Sequence, residues 1–584
     1  MDFFSVLTLF GGLAMFLYGM DIMGDGLKKL SGSKLEMILE KLTSNKIKGF
    51  LLGAGVTAVI QSSGATTVML VGFVNSGIMK LSQTMSIIMG ANLGTTITAW
   101  ILSLSGINGE SFFLRILKPS SFTPILAMIG IILTFTAKRD KHKDIGSILL
   151  GFSVLMFGME TMSSSMAGLK DSPAFAKILV MFSNPIMGVL AGFVLTAIIQ
   201  SSSASVGVLQ AISITGAINF STALPLILGA NIGAALTPML SAINGNTNAK
   251  RVAAACMQIK LISVAVLAGA FYIANAIFGF SIMSDTVGAV YIAIIHTVFN
   301  LLATVILMPF SDKLEKLAKN SVKGKKDKKK TDVFDTLDER FLLMPGYAVE
   351  KCNELVRQMA EISKTMILMS LGMIYEYDEK GAAEIEENER LVDTYEDKIS
   401  TYLVHLALGK LSERDSKTVT HLLHVVGDLE RISDHAVNVV SAAREIYEKK
   451  IEFSKDAKRE IDVMFDAICE ILKITVTALE TDDRELAKRV EPLEQTIDNL
   501  KRTIKDNHIN RLRDGICKIE FGFVLSDIIT NCERVADHCS NIAVSILEMK
   551  HNSLETHEYL NQVKNEGRNK FFELYKEYSD KYVI

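Results

Sequence analysis

The chain has 584 residues, 49% of them hydrophobic, a net charge of −3 and a mean hydropathy of +0.30. Residues 1–310 carry long apolar runs with few charges, whereas 311–584 are dense in Lys, Glu, Asp and Arg. This split excludes a single soluble globule, and no basic domain of the kind that binds nucleic acid is present.

The first stretch, MDFFSVLTLFGG, lacks the basic start of a signal peptide, so it is expected to stay in the protein. A bilayer crossing takes about 20 mainly apolar residues. On that measure spanning helices are predicted near 3–23, 82–104, 120–137, 146–167, 220–242, 261–280 and 287–310. Two more apolar segments, 50–78 and 189–217, are each cut in the middle by a Gln-Ser-Ser stretch. Their halves are too short to cross, which predicts two re-entrant hairpins and seven crossings.

Basic residues divide between the loops. Lys28, Lys29, Lys34, Lys41, Lys46 and Lys48 follow the first span, Lys138, Arg139, Lys141 and Lys143 the third, and Lys250, Arg251 and Lys260 the fifth. The opposite loops hold Arg115, Lys118, Lys170 and Lys177. The expected topology is a multi-pass plasma-membrane protein with its N-terminus outside and its C-terminus in the cytoplasm.

A shift of 139 residues maps Gly12, Gly19, Met20 and Met23 onto Gly151, Gly158, Met159 and Met162. It also maps Gln61-Ser62-Ser63 onto Gln200-Ser201-Ser202, and Gly90-Ala91-Asn92 onto Gly229-Ala230-Asn231. Between 53 and 98, 17 of 46 positions are identical, too many for unrelated apolar helices. A first unit with three crossings forces the second upside down, so 1–137 and 138–310 read as inverted repeats. Inverted repeats with broken helices at the midplane mark a secondary transporter.

A broken helix in hydrocarbon must have its free backbone groups satisfied by protein or by a water-filled cavity. Helix N-termini and hydroxyls there can donate to an oxyanion, while carbonyl and hydroxyl oxygens can ligate Na⁺. No Arg or Lys lies in either break, so co-bound cations would have to offset an anion's charge. Second-tier Na⁺ ligands are Thr66, Thr67, Asn92, Thr95, Thr96, Ser205, Asn231 and Thr237. His296 and Asn300, one turn apart, read as a satisfied pair in the bundle core.

GxxxTAxxQSS followed by GANxGTT, duplicated in inverted halves, resembles the type II sodium/phosphate cotransporter family over residues 1–310. The resemblance implies a phosphate site built from Gln61, Ser62, Ser63, Gln200, Ser201, Ser202 and Ser203, with Na⁺ as coupling ion. The first copy departs from a full QSSS because residue 64 is Gly64.

Residues 311–340 are Lys-rich, with Lys325, Lys326, Lys328, Lys329 and Lys330 in one run, and read as a linker with some attraction to anionic headgroups. Apolar residues then recur at helical spacing through 341–550, and 551–584 is a tail. The fold expected for the whole chain is all-α. DLERISDHAVNV at 428–439 matches NCERVADHCSNI at 531–542, which sets the pairs Glu430/Asp434 and Glu533/Asp537 on equivalent helix faces. Asp393/Asp397 and Glu494/Asp498 repeat the spacing upstream. Acidic faces stacked this way suit divalent or trivalent cations. This half resembles the PhoU domain, which implies two three-helix bundles, metal-binding E/DxxxD motifs and control of phosphate uptake.

The function expected is therefore a sodium-coupled importer of inorganic phosphate with a cytoplasmic PhoU-like regulatory domain, through which a homodimer or regulatory partner would engage. The alternative is a membrane-tethered phosphate sensor without coupled flux. No P-loop, HExxH or GxSxG is present, so no enzyme is expected.

Overall fold

Helices and short turns make up the residues that the computed structural model describes, 3–31, 45–106, 118–166, 173–324, 333–548 and 568–584. The run Lys325 to Lys330, together with Lys34, Lys41, Arg115 and Lys170, lies outside these residues. No β-strand occurs among the described residues beyond one isolated bridge, Asn219 to Thr286. The chain divides into two units, Met1–Tyr347 and Ala348–Ile584.

In the first unit α1 is Phe3–Ser31, α2 Lys46–Ile60, α3 Ser63–Asn75, α4 Leu81–Gly94 and α5 Thr96–Ser103. Then come α6 Pro119–Thr136, α7 Asp140–Met166, α8 Pro173–Phe182, α9 Pro185–Ile199 and α10 Ser202–Ser213. The unit continues with α11 Phe220–Gly233, α12 Leu236–Ser241, α13 Thr247–Phe278, α14 Ala289–Leu307 and α15 Ser311–Ser321. Among the described residues, seven helical stretches are long and apolar enough to cross a bilayer, matching the seven predicted spans. The pairs α2/α3 and α9/α10 are instead interrupted. At about 1.5 Å per residue, none of these four helices reaches the roughly 30 Å of a hydrocarbon core.

Glycines set the packing of the two repeats. Gly12 faces Gly158 and Gly19 faces Gly151; a Cβ on Gly19 would lie 2.7 Å from Gly151 O, and one on Gly158 2.7 Å from Gly12 O. The 139-residue shift exchanges these contacts, so α1 and α7 are equivalent helices packed antiparallel. An inverted second copy requires that arrangement. The GAN glycines serve the same purpose: a Cβ on Gly90 would meet Phe50 O at 2.0 Å, and one on Gly229 would meet Val189 O at 2.0 Å.

The span predicted at 261–280 begins earlier. Asn246 caps α13, its Oδ1 accepting from Ala249 N at 2.9 Å, so Lys260 lies inside the helix rather than in a loop. Within the stretch read as a linker, Ser311–Ser321 is helical, and turns at Val333–Thr336 and Glu339–Leu343 bring Phe341 into the core of this unit against Gly72, Phe73 and Tyr347.

The boundary between units falls inside α16, Pro345–Met373. The second unit continues with α17 Glu379–Ala407, α18 Glu413–Lys449, α19 Lys455–Thr481, α20 Arg484–Ala487, α21 Val490–Arg513, α22 Ile519–Glu548 and α23 Arg568–Lys581. α16, α17 and α18 form one three-helix bundle, joined by Tyr395 Oη donating to Gln358 Oε1 and Ser363 Oγ donating to Leu429 O. The second bundle is α19, α21 and α22. The motif helices α18 and α22 pack on each other with reciprocal contacts. His435 Nδ1 lies 2.9 Å from Asn531 Oδ1 and His538 Nδ1 2.9 Å from Asp428 Oδ1, and the two imidazoles stack at 5.6 Å. A shift of 103 exchanges these pairs.

Candidate functional site

Both breaks have the same backbone. Gln61 (φ 59°, ψ 22°) and Gln200 (φ 58°, ψ 18°) sit in the left-handed region, a conformation that costs a non-glycine residue about 1–2 kcal/mol. Strain kept at two equivalent positions in the middle of two apolar segments is a mark of function. Each chain then turns into a new helix whose N-cap is the first serine: Ser62 Oγ accepts from Ala65 N and Ser201 Oγ from Ala204 N. With its oxygen so engaged, each of these hydroxyls has its proton to give. The first two N–H groups of α3 and α10, at Ser63/Gly64 and Ser202/Ser203, have no acceptor within their helices. Each break thus gathers N–H and O–H donors at a helix N-terminus, where an anion is favoured.

Hydroxyl pairs stitch each break shut. Thr57 Oγ1 donates to Thr66 Oγ1 at 3.0 Å, and Thr196 Oγ1 to Ser205 Oγ at 2.9 Å. The hydroxyl protons of Thr66, Thr67, Ser205, Thr95 and Thr96 point to main-chain carbonyls three or four residues earlier, at 2.7–3.1 Å. Those oxygens keep lone pairs to offer, so they suit a cation better than an anion.

The two breaks meet partners from the opposite repeat. α3 packs on α12 and α10 on α5. Gly64 faces Thr237, with a Cβ at that position 3.4 Å from Thr237 Cγ2, and Gly207 faces Leu102. The missing hydroxyl of the first copy is therefore where Thr237 comes close. The equivalence is not complete. Gln61 is buried, its Oε1 accepting from Thr98 Oγ1 at 2.7 Å and its Nε2 donating to Ala58 O; Gln200 is exposed.

Asn92 and Asn231 are brought to one cavity together with Lys260 and Asn300, and its lining holds none of the serines of the two breaks. His296 and Asn300 are only partly satisfied: Asn300 Nδ2 donates to His296 O at 2.8 Å, while His296 Nδ1 is buried without a partner. Sequence reasoning missed Gln210, fully buried on α10, whose Nε2 donates to Ala99 O and Ala289 O, both at 2.9 Å. The signal available was a lone amide in a twelve-residue apolar half-helix.

These features match known families. The Na⁺/Pi-cotransporter profile matches residues 15–164 and again 155–289, and the PhoU domain profile matches 356–443 and 461–546. Residues 15–289 belong to the Na⁺/Pi-cotransporter family. The cotransporter region is followed by a duplicated PhoU domain, and the double match of each profile follows the two internal repeats. Over 552 residues, 93% of this chain and 98% of the relative, the protein is 24% identical to the "Putative inorganic phosphate export protein YjbB" of Escherichia coli K12. It is 31% identical over 139 residues, 24% of this chain and 20% of the relative, to the sodium-dependent phosphate transport protein 2B of Pongo abelii. PhoU from Pseudomonas aeruginosa superposes with a TM-score of 0.33 and 18% identity, covering 35% of this chain and 97% of that one.

In the PhoU domain, carboxylate oxygens of Glu389, Asp393 and Asp434 lie within 4.8 Å of one another. Burial, then Asp434 and Asp393, raise the Glu430 carboxyl; burial, then Asp393, raise Asp434. Asp397 is not in the three-carboxylate group. Glu389, four residues before Asp393, was missed although it extends the ExxxD spacing back by one turn. In the second bundle, burial pushes Glu494 up to about 8, with Glu491, Asp537 and Asp498 adding to it. There Glu533 pairs with Lys501 at 2.7 Å and Asp498 with Arg502 at 3.2 Å, so that bundle already neutralises part of its charge.

Proposed function

We propose that the protein is a sodium-coupled carrier of inorganic phosphate, working by alternating exposure of one site formed between the two Gln-Ser-Ser breaks. The observation that carries this reading is the approach of the first break to the opposite repeat at Gly64 and Thr237. Phosphate would lie on the donors of Ser62, Ser63, Ser201, Ser202 and Ser203, with Gln61 and Gln200 beside it. Sodium ions would take oxygens of Thr66, Thr67, Thr95, Thr96, Ser205 and Thr237, offsetting a charge that no Arg or Lys at the breaks offsets. The unlike states of Gln61 and Gln200 support alternation, since two inverted halves hold different conformations when only one side is open. The interrupted pairs α2/α3 and α9/α10 would be re-entrant hairpins, with the N-terminus outside and the PhoU domain in the cytoplasm regulating flux. Divalent or trivalent cations would bind its acidic faces, foremost Glu389, Asp393 and Asp434.

An inward sodium gradient would drive phosphate inward. The name of the E. coli relative favours outward movement as a second reading, and a coupled carrier reverses when the phosphate gradient outweighs the sodium drive. Labelled phosphate flux in proteoliposomes tests both. The reading expects accumulation under an inward Na⁺ gradient and none under K⁺. Flux indifferent to Na⁺ would remove the coupling, and flux only out of phosphate-loaded vesicles would establish export.

A further inference from the structure

A small cavity of about 10 Å³ lies where α4, α11, α13 and α14 converge, lined by Asn92, Asn231, Lys260, Ser263, Asn300 and Thr304 among others. It has room for one water-sized particle and none for a tetrahedral oxyanion. Asn92 and Asn231 are equivalent under the 139-residue shift, so the cavity takes one asparagine from each repeat. Lys260 and Ser263 of α13 and Asn300 and Thr304 of α14 complete its polar lining.

Several of the lining donors are already engaged, which leaves their oxygens to offer. Asn231 Nδ2 donates to Ile227 O at 3.3 Å and Asn300 Nδ2 to His296 O at 2.8 Å. Ser263 Oγ donates to Ile259 O at 2.6 Å and Thr304 Oγ1 to Asn300 O at 2.9 Å. Asn92 Oδ1 is buried with no hydrogen-bond partner. A water-sized space in which amide and hydroxyl oxygens gather beside the apolar Met89, Ile259, Phe299 and Ala303 fits a monovalent cation. No carboxylate lines it, yet Lys260 is only 7% exposed there. An ionisable side chain held at such depth in a spanning helix is a functional candidate by default.

We propose that Lys260 is a tethered cation: its ammonium serves the site between the two GAN asparagines in place of a free sodium ion. The charge it supplies stays with the chain instead of crossing with the substrate. The site rests on the geometry alone; only its consequence, one fewer sodium ion per phosphate, rests on the sodium-coupled reading above.

The test is a count of radiolabelled sodium bound per full-length chain in detergent, at saturating phosphate, for wild type, Lys260→Asn and Lys260→Arg. Lys260→Asn replaces the ammonium with an amide of the kind three other lining residues carry, and Lys260→Gln serves with the same expectation where Asn prevents folding. One additional sodium ion for the amide variants, with Lys260→Arg equal to wild type, is expected. Equal counts in wild type and both amide variants would overturn the tethered cation. An extra ion over a wild type that binds none keeps the tethered cation and removes sodium coupling, whereas sodium bound equally by all keeps coupling and removes the tethered cation.

Discussion

Gly64 in the first repeat faces Thr237 in the second, close enough that an added Cβ would stand 3.4 Å from Thr237 Cγ2. That is ordinary contact distance, so Gly64→Ala should be tolerated. Gly64→Leu would force α3 from α12 at a cost of about 1–3 kcal/mol, the usual range for overpacking. Initial phosphate flux in vesicles should stay near wild type for Ala and fall sharply for Leu. Equal activity of both would mean that this contact does not shape the site.

Thr98 holds Gln61 by a buried hydrogen bond, whereas Gln200 is exposed. Thr98→Val leaves Gln61 Oε1 without that donor and should cost about 1–3 kcal/mol. It should also weaken phosphate binding more than Thr237→Val does. Isothermal titration with phosphate on the two variants checks this, and a larger loss for Thr237→Val would contradict it.

The acidic faces of the PhoU domain give a pH dependence with a definite sign. Glu494 is held up to about 8, chiefly by burial, and Glu430, Asp434 and Asp537 are raised as well. Between the usual carboxylate range and about 8 the folded unit binds more protons than the unfolded chain, so stability falls as pH rises through that window. Metal-free protein should therefore melt lower at pH 8 than at pH 5.5, and a bound divalent ion should offset the loss. A melting temperature that rises over this window without metal would oppose it.

Phe341 is fully buried among Gly72, Phe73 and Tyr347. Phe341→Ala should cost about 3–5 kcal/mol within the membrane unit. Thermal unfolding in detergent measures it, and a change below 1 kcal/mol would show that the segment is only loosely seated (about the size of a surface substitution).

Much of this was legible in the residues. Period, run length and the two Gln-Ser-Ser interruptions located every spanning helix and both breaks, because a polar interruption of an apolar segment leaves a mark no packing can hide. The glycine pairs Gly12/Gly151 and Gly19/Gly158 announced the duplication, and the antiparallel packing of α1 on α7 repeats it in space. What stayed hidden depends on contacts. Lys260 depresses the hydropathy around it, so the predicted span began at 261 although α13 starts at Thr247 and Asn246 was a readable N-cap. The unlike surroundings of Gln61 and Gln200 cannot appear in two identical motifs. Nor could the pairing of Lys501 with Glu533 across two helices, which with the i,i+4 pair Asp498–Arg502 sets the second acidic face apart from the first.

The central claim is that the two breaks are halves of one site. Equilibrium binding of labelled phosphate to wild type, Gln61→Ala, Gln200→Ala and the double variant tests it most directly. The account predicts a single phosphate per wild-type chain and a large loss of affinity from either substitution alone, with the double variant little worse. Two phosphates per chain, with each single variant keeping one at full affinity, would contradict it.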